Sequence, residues 1–340
     1  LLSKGVDVLL VDKSKELTNN PLFKPYELPI SSGPKVLSFC GLSELNKSIY
    51  NEAEPVGVVF KDIKIDFKHP YLKEDVKRIF GQAQEERFAR FIEHLSLLAK
   101  KRLTPWEKNK KGLLTRNIDN LSYSISLGGI NSLYDRYSIE PTLKHMINAV
   151  IFIMSGTIST NYRINQVSSL LTAVLDGVTI VNDDVVSLRS IMLDKLKDHI
   201  YENPVRSGLL VEDKDPIKER YLKDFNRLKG AYSENILYPF SLYALVDEDF
   251  LSTVMPRFLI FIDADRSDYF EIEDIYVLRT WTDNDKAKLV LTSFMGFGSF
   301  DIENSIHLEK TKKMRKIMEK LVPSLLSKKV DVEYVSDVDD

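Results

Sequence analysis

RFLIFIDADRSD (Arg257–Asp268) is the stretch from which the fold of this chain is read. The apolar run Phe258–Ile262 is too short for an ordinary helix and is made of branched and aromatic side chains, so it reads as a buried strand. It stops abruptly at Asp263, and Asp263, Asp265 and Asp268 crowd the turn that follows. Further strands are expected at Tyr269–Leu278 and Ala287–Ser293, joined by Asp/Ser-rich and Asp-Asn-Asp turns whose side chains bond their own backbone. An amphipathic helix over about Ile302–Leu326 closes the group, with Ile306, Met314, Ile317, Met318, Leu321 and Leu325 on one side.

Working back from this block, Val56–Phe60 and Ile63–Phe67 alternate on either side of Lys61-Asp62 and predict a pair of strands. Ahead of them, Leu1–Lys4 reads as the end of a helix and Val6–Val11 as a buried strand. Thr18–Pro34 reads as a proline-punctuated loop, Val36–Cys40 as a short apolar run and Leu42–Ala53 as a helix. Helices dominate the middle. Apolar residues from Leu72 to Leu98 recur at three- and four-residue steps and predict one long helix. Further helices are expected around Ser132–Tyr137, Thr142–Met154, Asn165–Leu175, Asp184–His199, Ile217–Leu228 and Glu234–Leu245. The fold class is α+β: a small αβ unit over residues 1–70, a helical body over 71–255, and late antiparallel strands with a C-terminal amphipathic helix over 256–330. The acidic tail, 331–340, is expected to fray.

Composition narrows the function classes. A hydrophobic content of 44% with 29% charge over 340 residues supports a large core and excludes wholesale disorder. The single cysteine, Cys40, excludes an internal disulfide and a cysteine-based zinc cluster within the sequence, and fits a cytoplasmic setting. No apolar run approaches the roughly 18–20 residues that cross a bilayer, so no membrane partner is expected. Because the first residue is Leu rather than Met, further residues are expected before it. The net charge of -3 argues against a uniformly basic coat and directs attention to local patches.

Asp263 and Asp265 are the candidates for metal-assisted phosphoryl transfer, because a strand end holds oxygen ligands rigidly. Turn chemistry explains the same residues, and the Gly-Thr of a haloacid-dehalogenase-type loop does not follow. The five histidines, His69, His94, His145, His199 and His307, form no His-Glu-x-x-His spacing. Neither a phosphate-binding Gly-Lys-Ser/Thr loop nor a Gly-x-Ser-x-Gly elbow occurs. The expectation is a non-enzyme without a cofactor.

Cations are more informative. Lys100, Lys101, Arg102, Lys108, Lys110, Lys111 and Arg116 crowd the segment after the long helix, with Trp106 among them and Glu107 opposing them. Such a segment can neutralise phosphates and stack a base, although some cations are also expected at a helix C-terminus. On the last helix Lys312, Lys316 and Lys320 repeat every four residues, beside Lys313 and Arg315. That stripe can track a phosphate backbone, dock on an acidic protein, or simply be solvated. Asn161 and Arg163 form a third polar cluster, able to read base edges or to cap a helix.

The opening LLSKGVDVLLVD (Leu1–Asp12) and the block YPFSLYALVDEDFLSTVMPRFLIFIDAD (Tyr238–Asp265) resemble the large subunit of archaeal type I-A CRISPR surveillance (Cascade) complexes, a branch of antiviral defence. The resemblance implies a non-catalytic subunit that helps recognise the protospacer-adjacent motif of target DNA. It also implies partners: other protein subunits and a crRNA-containing complex. Relatives that carry a cysteine-based zinc cluster are not matched, since Cys40 stands alone. Two rival classes are a metal-dependent nuclease or phosphoryl-transfer enzyme using Asp263 and Asp265, and a protein-interaction scaffold.

Overall fold

The computed structural model describes residues 26–29, 53–101, 128–156, 161–181, 237–247, 249, 257–264, 272–283, 286–296, 304–326 and 333–336. The fold class is α+β, as the sequence implies. A small sheet pairs β1 (Tyr26–Pro29) antiparallel with β4 (Val178–Val181). The large sheet has seven strands in the order β3-β2-β6-β7-β8-β5-β9. They are β2 (Val56–Phe60), β3 (Ile63–Phe67), β5 (Leu237–Asp247), β6 (Phe258–Ile262), β7 (Ile275–Asp283), β8 (Lys286–Gly296) and β9 (Glu333–Ser336). Six helices accompany them among the described residues: α1 (Tyr71–Phe80), α2 (Gln82–Lys101), α3 (Ile130–Arg136), α4 (Pro141–Ser155), α5 (Ile164–Leu175) and α6 (Asn304–Leu321).

The apolar run Phe258–Ile262, β6, is an interior strand of the large sheet. β6 pairs parallel with β2 and antiparallel with β7, and all five of its residues are buried. Phe258, Ile260 and Ile262 enter one core with α1–α5, while Leu259 and Phe261 enter a second core beneath α6. A strand covered on both faces needs no polar side, which is why its sequence does not alternate. The parallel β2–β6 pair requires a long crossover, and the helices α1–α5 lie in the chain between those two strands. One sheet therefore draws on residues 56–67, 237–296 and 333–336, across the divisions expected at 70/71, 255/256 and 330/331.

Five local expectations are corrected. Thr18–Pro34 is not loop throughout, because Tyr26–Pro29 within it forms β1 and pairs with β4. The single long helix is two, α1 and α2, separated at Gly81, whose φ of 85° is a conformation that side chains disfavour. Glu234–Leu245 is not helical in its described part: Leu237–Asp247 is the strand β5, paired with β8 along its whole length. Its inner residues Phe240, Leu242, Ala244 and Val246 are buried under α6, and Tyr243 on the other side is buried too. With both sides apolar, period alone could not separate strand from helix. Pro239 was the missed signal, since a helix interior rejects it. Counting from the paired Asp283 and Lys286 at the end of the β7–β8 ladder, Pro239 points its ring nitrogen away from β8, where no ladder donor is lost. The strand expected from Tyr269 is β7 and begins at Ile275, after a 3-10 turn at Ile272–Asp274, and the acidic tail contributes β9, paired with Leu242–Leu245.

The hairpin β2–β3 and the helices α3, α4 and α5 correspond to their expected segments. The elements expected at Leu1–Lys4, Val6–Val11, Val36–Cys40, Leu42–Ala53, Asp184–His199 and Ile217–Leu228 lie outside the described residues or at their border. No described helix is long and apolar enough to cross a membrane.

Candidate nucleic-acid interface on the C-terminal helix

α6 is amphipathic, and its two sides have different tasks. Met314, Ile317 and Met318 are buried against the sheet, with Val322 and Leu325 continuing the contact through the 3-10 turn Pro323–Leu326. At 100° per residue, Lys312, Lys316 and Lys320 fall on the opposite side, and all three are exposed. The spacing legible in the sequence is thus realised as a row on the solvent side.

The remaining cations of α6 are engaged. Lys313 Nζ lies 3.2 Å from Asp263 Oδ2 and 5.5 Å from the centre of the Tyr276 ring. Lys310 Nζ donates to the carbonyl oxygen of Glu273 at 3.3 Å and sits 5.2 Å from the same ring. Arg315 Nε donates to Glu319 Oε1 at 2.9 Å, one helical turn on. Lys320 spans both roles: its ammonium is 5.2 Å from the Phe261 ring centre while the residue stays exposed. Phe261 and Tyr276 are cross-strand neighbours on β6 and β7, so their rings form one aromatic floor below this side of α6.

The electrostatics of that floor follow from burial. Burial pushes the Tyr276 hydroxyl above its ordinary pKa, and the Lys313 charge opposes it only in part. Burial lowers the Lys310 ammonium, with Glu273 opposing. For Lys313 burial also acts downward, but Tyr276 and Asp263 outweigh it and hold the ammonium above its ordinary value.

Asp263 therefore has a protein counter-ion. Its backbone N–H donates to the Asp274 carbonyl at 2.8 Å, which ties the end of β6 to the turn before β7. Asp265 lies outside the described residues, and among those described no group of three or more His, Cys, Asp or Glu is placed to hold a metal. Lys313 is 50 residues away in the sequence and joins Asp263 only through the docking of α6.

Of the other candidates, Lys100 is exposed near the end of α2 and Lys101 is the last residue of that helix. Arg102, Trp106, Lys108, Lys110, Lys111 and Arg116 lie outside the described residues. Asn161 Oδ1 accepts from the backbone N–H of Asn131 at 3.1 Å and so serves the first turn of α3. A Cβ on Gly129 would fall 1.9 Å from that oxygen, so glycine is required for the approach. Arg163 is exposed at the start of α5 and bridges to Gly129 in the backbone. Three of the described histidines have structural contacts: His94 Nδ1 meets the Tyr137 hydroxyl at 2.8 Å, His145 stacks edge-on to Phe60, and the backbone N–H of His69 donates to the Leu175 carbonyl at 3.0 Å.

Comparison with protein-family models and with curated proteins finds no match to this chain.

Proposed function

We propose that this chain is a non-catalytic nucleic-acid-binding subunit of a larger assembly, and that the solvent side of α6 meets phosphates. The supporting observation is the exposed row Lys312, Lys316 and Lys320, set opposite the buried Met314, Ile317 and Met318. Four-residue steps advance the row about 6 Å at a time along a rigid helix, a spacing suited to successive phosphates rather than to one small anion. The sequence resemblance to CRISPR effector large subunits supplies the assembly: the bound nucleic acid would be target DNA, held beside crRNA-bound subunits.

Titrating the full chain with fluorescently labelled single-stranded and duplex DNA across about 50–200 mM salt tests the binding half. Three phosphate contacts give a slope of log K against log salt of about -2 to -3. Replacing Lys312, Lys316 and Lys320 together by Glu should reduce affinity more than tenfold and flatten the slope. Absent or salt-indifferent binding overturns the proposal. The assembly half predicts that tagged protein recovered from its native cells carries a guide-RNA-containing complex, and recovery without one reduces the reading to general binding.

A further inference from the structure

We infer that Asp263 is a brake on the basic face of α6: its carboxylate holds Lys313 in a contact that a phosphate would otherwise take. The inference rests on the proposed nucleic-acid reading and assigns that site an internal competitor. Lys313 belongs to the same exposed region as the row, because residues three and seven positions apart on a helix are neighbours and Lys316 and Lys320 stand at those steps. Its ammonium is drawn away from the row toward the end of β6, 3.2 Å from Asp263 Oδ2. The Lys313 and Asp263 side chains keep 47% and 35% of their exposure, so water and a competing anion reach the pair. An ion pair this exposed is weak and salt-sensitive, and can be exchanged for a phosphate without unpacking the helix. The anchoring of the strand end does not depend on the carboxylate, since the Asp263 backbone N–H makes that bond with Asp274.

Four variants of the full chain separate the possibilities in the same DNA titration. Asp263→Asn keeps the shape of the side chain and releases Lys313. It should tighten binding about three- to tenfold at low salt and steepen the salt slope by roughly 0.7–0.9, the contribution of one added phosphate contact. Lys313→Ala should cost wild-type protein less than Lys316→Ala does. In the Asp263→Asn background, Lys313→Ala should erase the gain in both affinity and slope, a non-additivity that a general change in net charge would not produce. Unchanged melting of Asp263→Asn excludes a loosened helix as the source of the gain. If wild-type protein binds DNA with the expected salt slope but Asp263→Asn leaves that slope unchanged, the brake is overturned and the binding proposal stands. If Lys313→Ala weakens wild-type binding as much as Lys316→Ala, Lys313 already contacts phosphate and the brake is likewise overturned. Failure of wild-type protein to bind overturns both.

Discussion

The two faces of the large sheet are covered in different ways. Against one face, α1–α5 bring a continuous core that includes Phe88, Phe91, Tyr134, Val150 and Val174 with β2, β3, β6 and β7. Against the other lies α6, which seals Met314, Ile317 and Met318 over β5–β8 and borders them with lysines. A single helix about 10–12 Å across cannot cover seven strands spaced near 4.8 Å, and at the β3 end this second face carries Lys64 and Asp66 rather than apolar groups. The helical face is where folding free energy concentrates. The α6 face combines a smaller core with accessible charge, which is the combination a binding surface needs.

The largest expected effect lies on the helical face. Phe91 is fully buried among Phe88, Tyr134 and Tyr137, so Phe91→Ala should destabilise by about 3–5 kcal/mol in denaturant unfolding. A cost below about 1 kcal/mol would break the contrast. A smaller and more local loss is expected from Met318→Ala beneath α6, about 2 kcal/mol, since a flexible side chain near a charged border leaves a site that can partly collapse. Hydrogen exchange should then quicken in α6 while α4 keeps its protection, whereas equal loosening of both helices would show that the faces are one cooperative unit.

The smallest effect concerns Asp66, on the α6 face of β3. Burial raises its carboxyl above the ordinary range, and nearby Asp75 adds to this while Lys64 and Arg78 oppose it. A folded-state value above the unfolded one means that protonation favours the fold. That contribution is complete below the unfolded value and is lost as pH rises through the folded one. Asp66→Asn, which imitates the neutral acid, should therefore raise Tm at pH 7 by about 1–2 °C. The gain should shrink toward zero as the pH falls below the ordinary carboxylate range, and a gain that grows in acid would contradict the assigned sign.

The two sheet edges show another contrast. On β3 the backbone N–H of Asp66 donates to Asp75 Oδ2 at 2.9 Å, and its carbonyl accepts from Lys68 at 2.9 Å, so α1 and its approach occupy that edge. On the far side β9 covers Leu242–Leu245, and Pro239 interrupts the donors beyond it. These are two separate devices against strand addition. Neither was legible in advance: Asp66 and Asp75 are nine residues apart in different elements, and the acidic composition around β9 pointed to a frayed tail.

Much of the candidate site could be read from spacing. Lys312, Lys316 and Lys320 share a helix side because a helix turns through 100° per residue, whatever surrounds it. The engagement of Lys313 could not be read, because local period does not say which charge meets a strand end 50 residues earlier. For the same reason the acidic turn invited a metal reading, while in the described structure Asp263 faces an ammonium.

By itself the sequence determined the elements whose signals are local: the β2–β3 hairpin, the helices α3–α5, the buried strand β6 and the amphipathic α6. Each follows from side-chain period, turn residues or an uninterrupted apolar run, all of them short-range effects of backbone geometry. Only the tertiary structure decided that β6 lies between β2 and β7, that Leu237–Asp247 is a strand, and that Lys313 belongs to Asp263. Those outcomes depend on burial from both faces and on contacts between residues far apart in the sequence, which a residue's immediate neighbours do not encode.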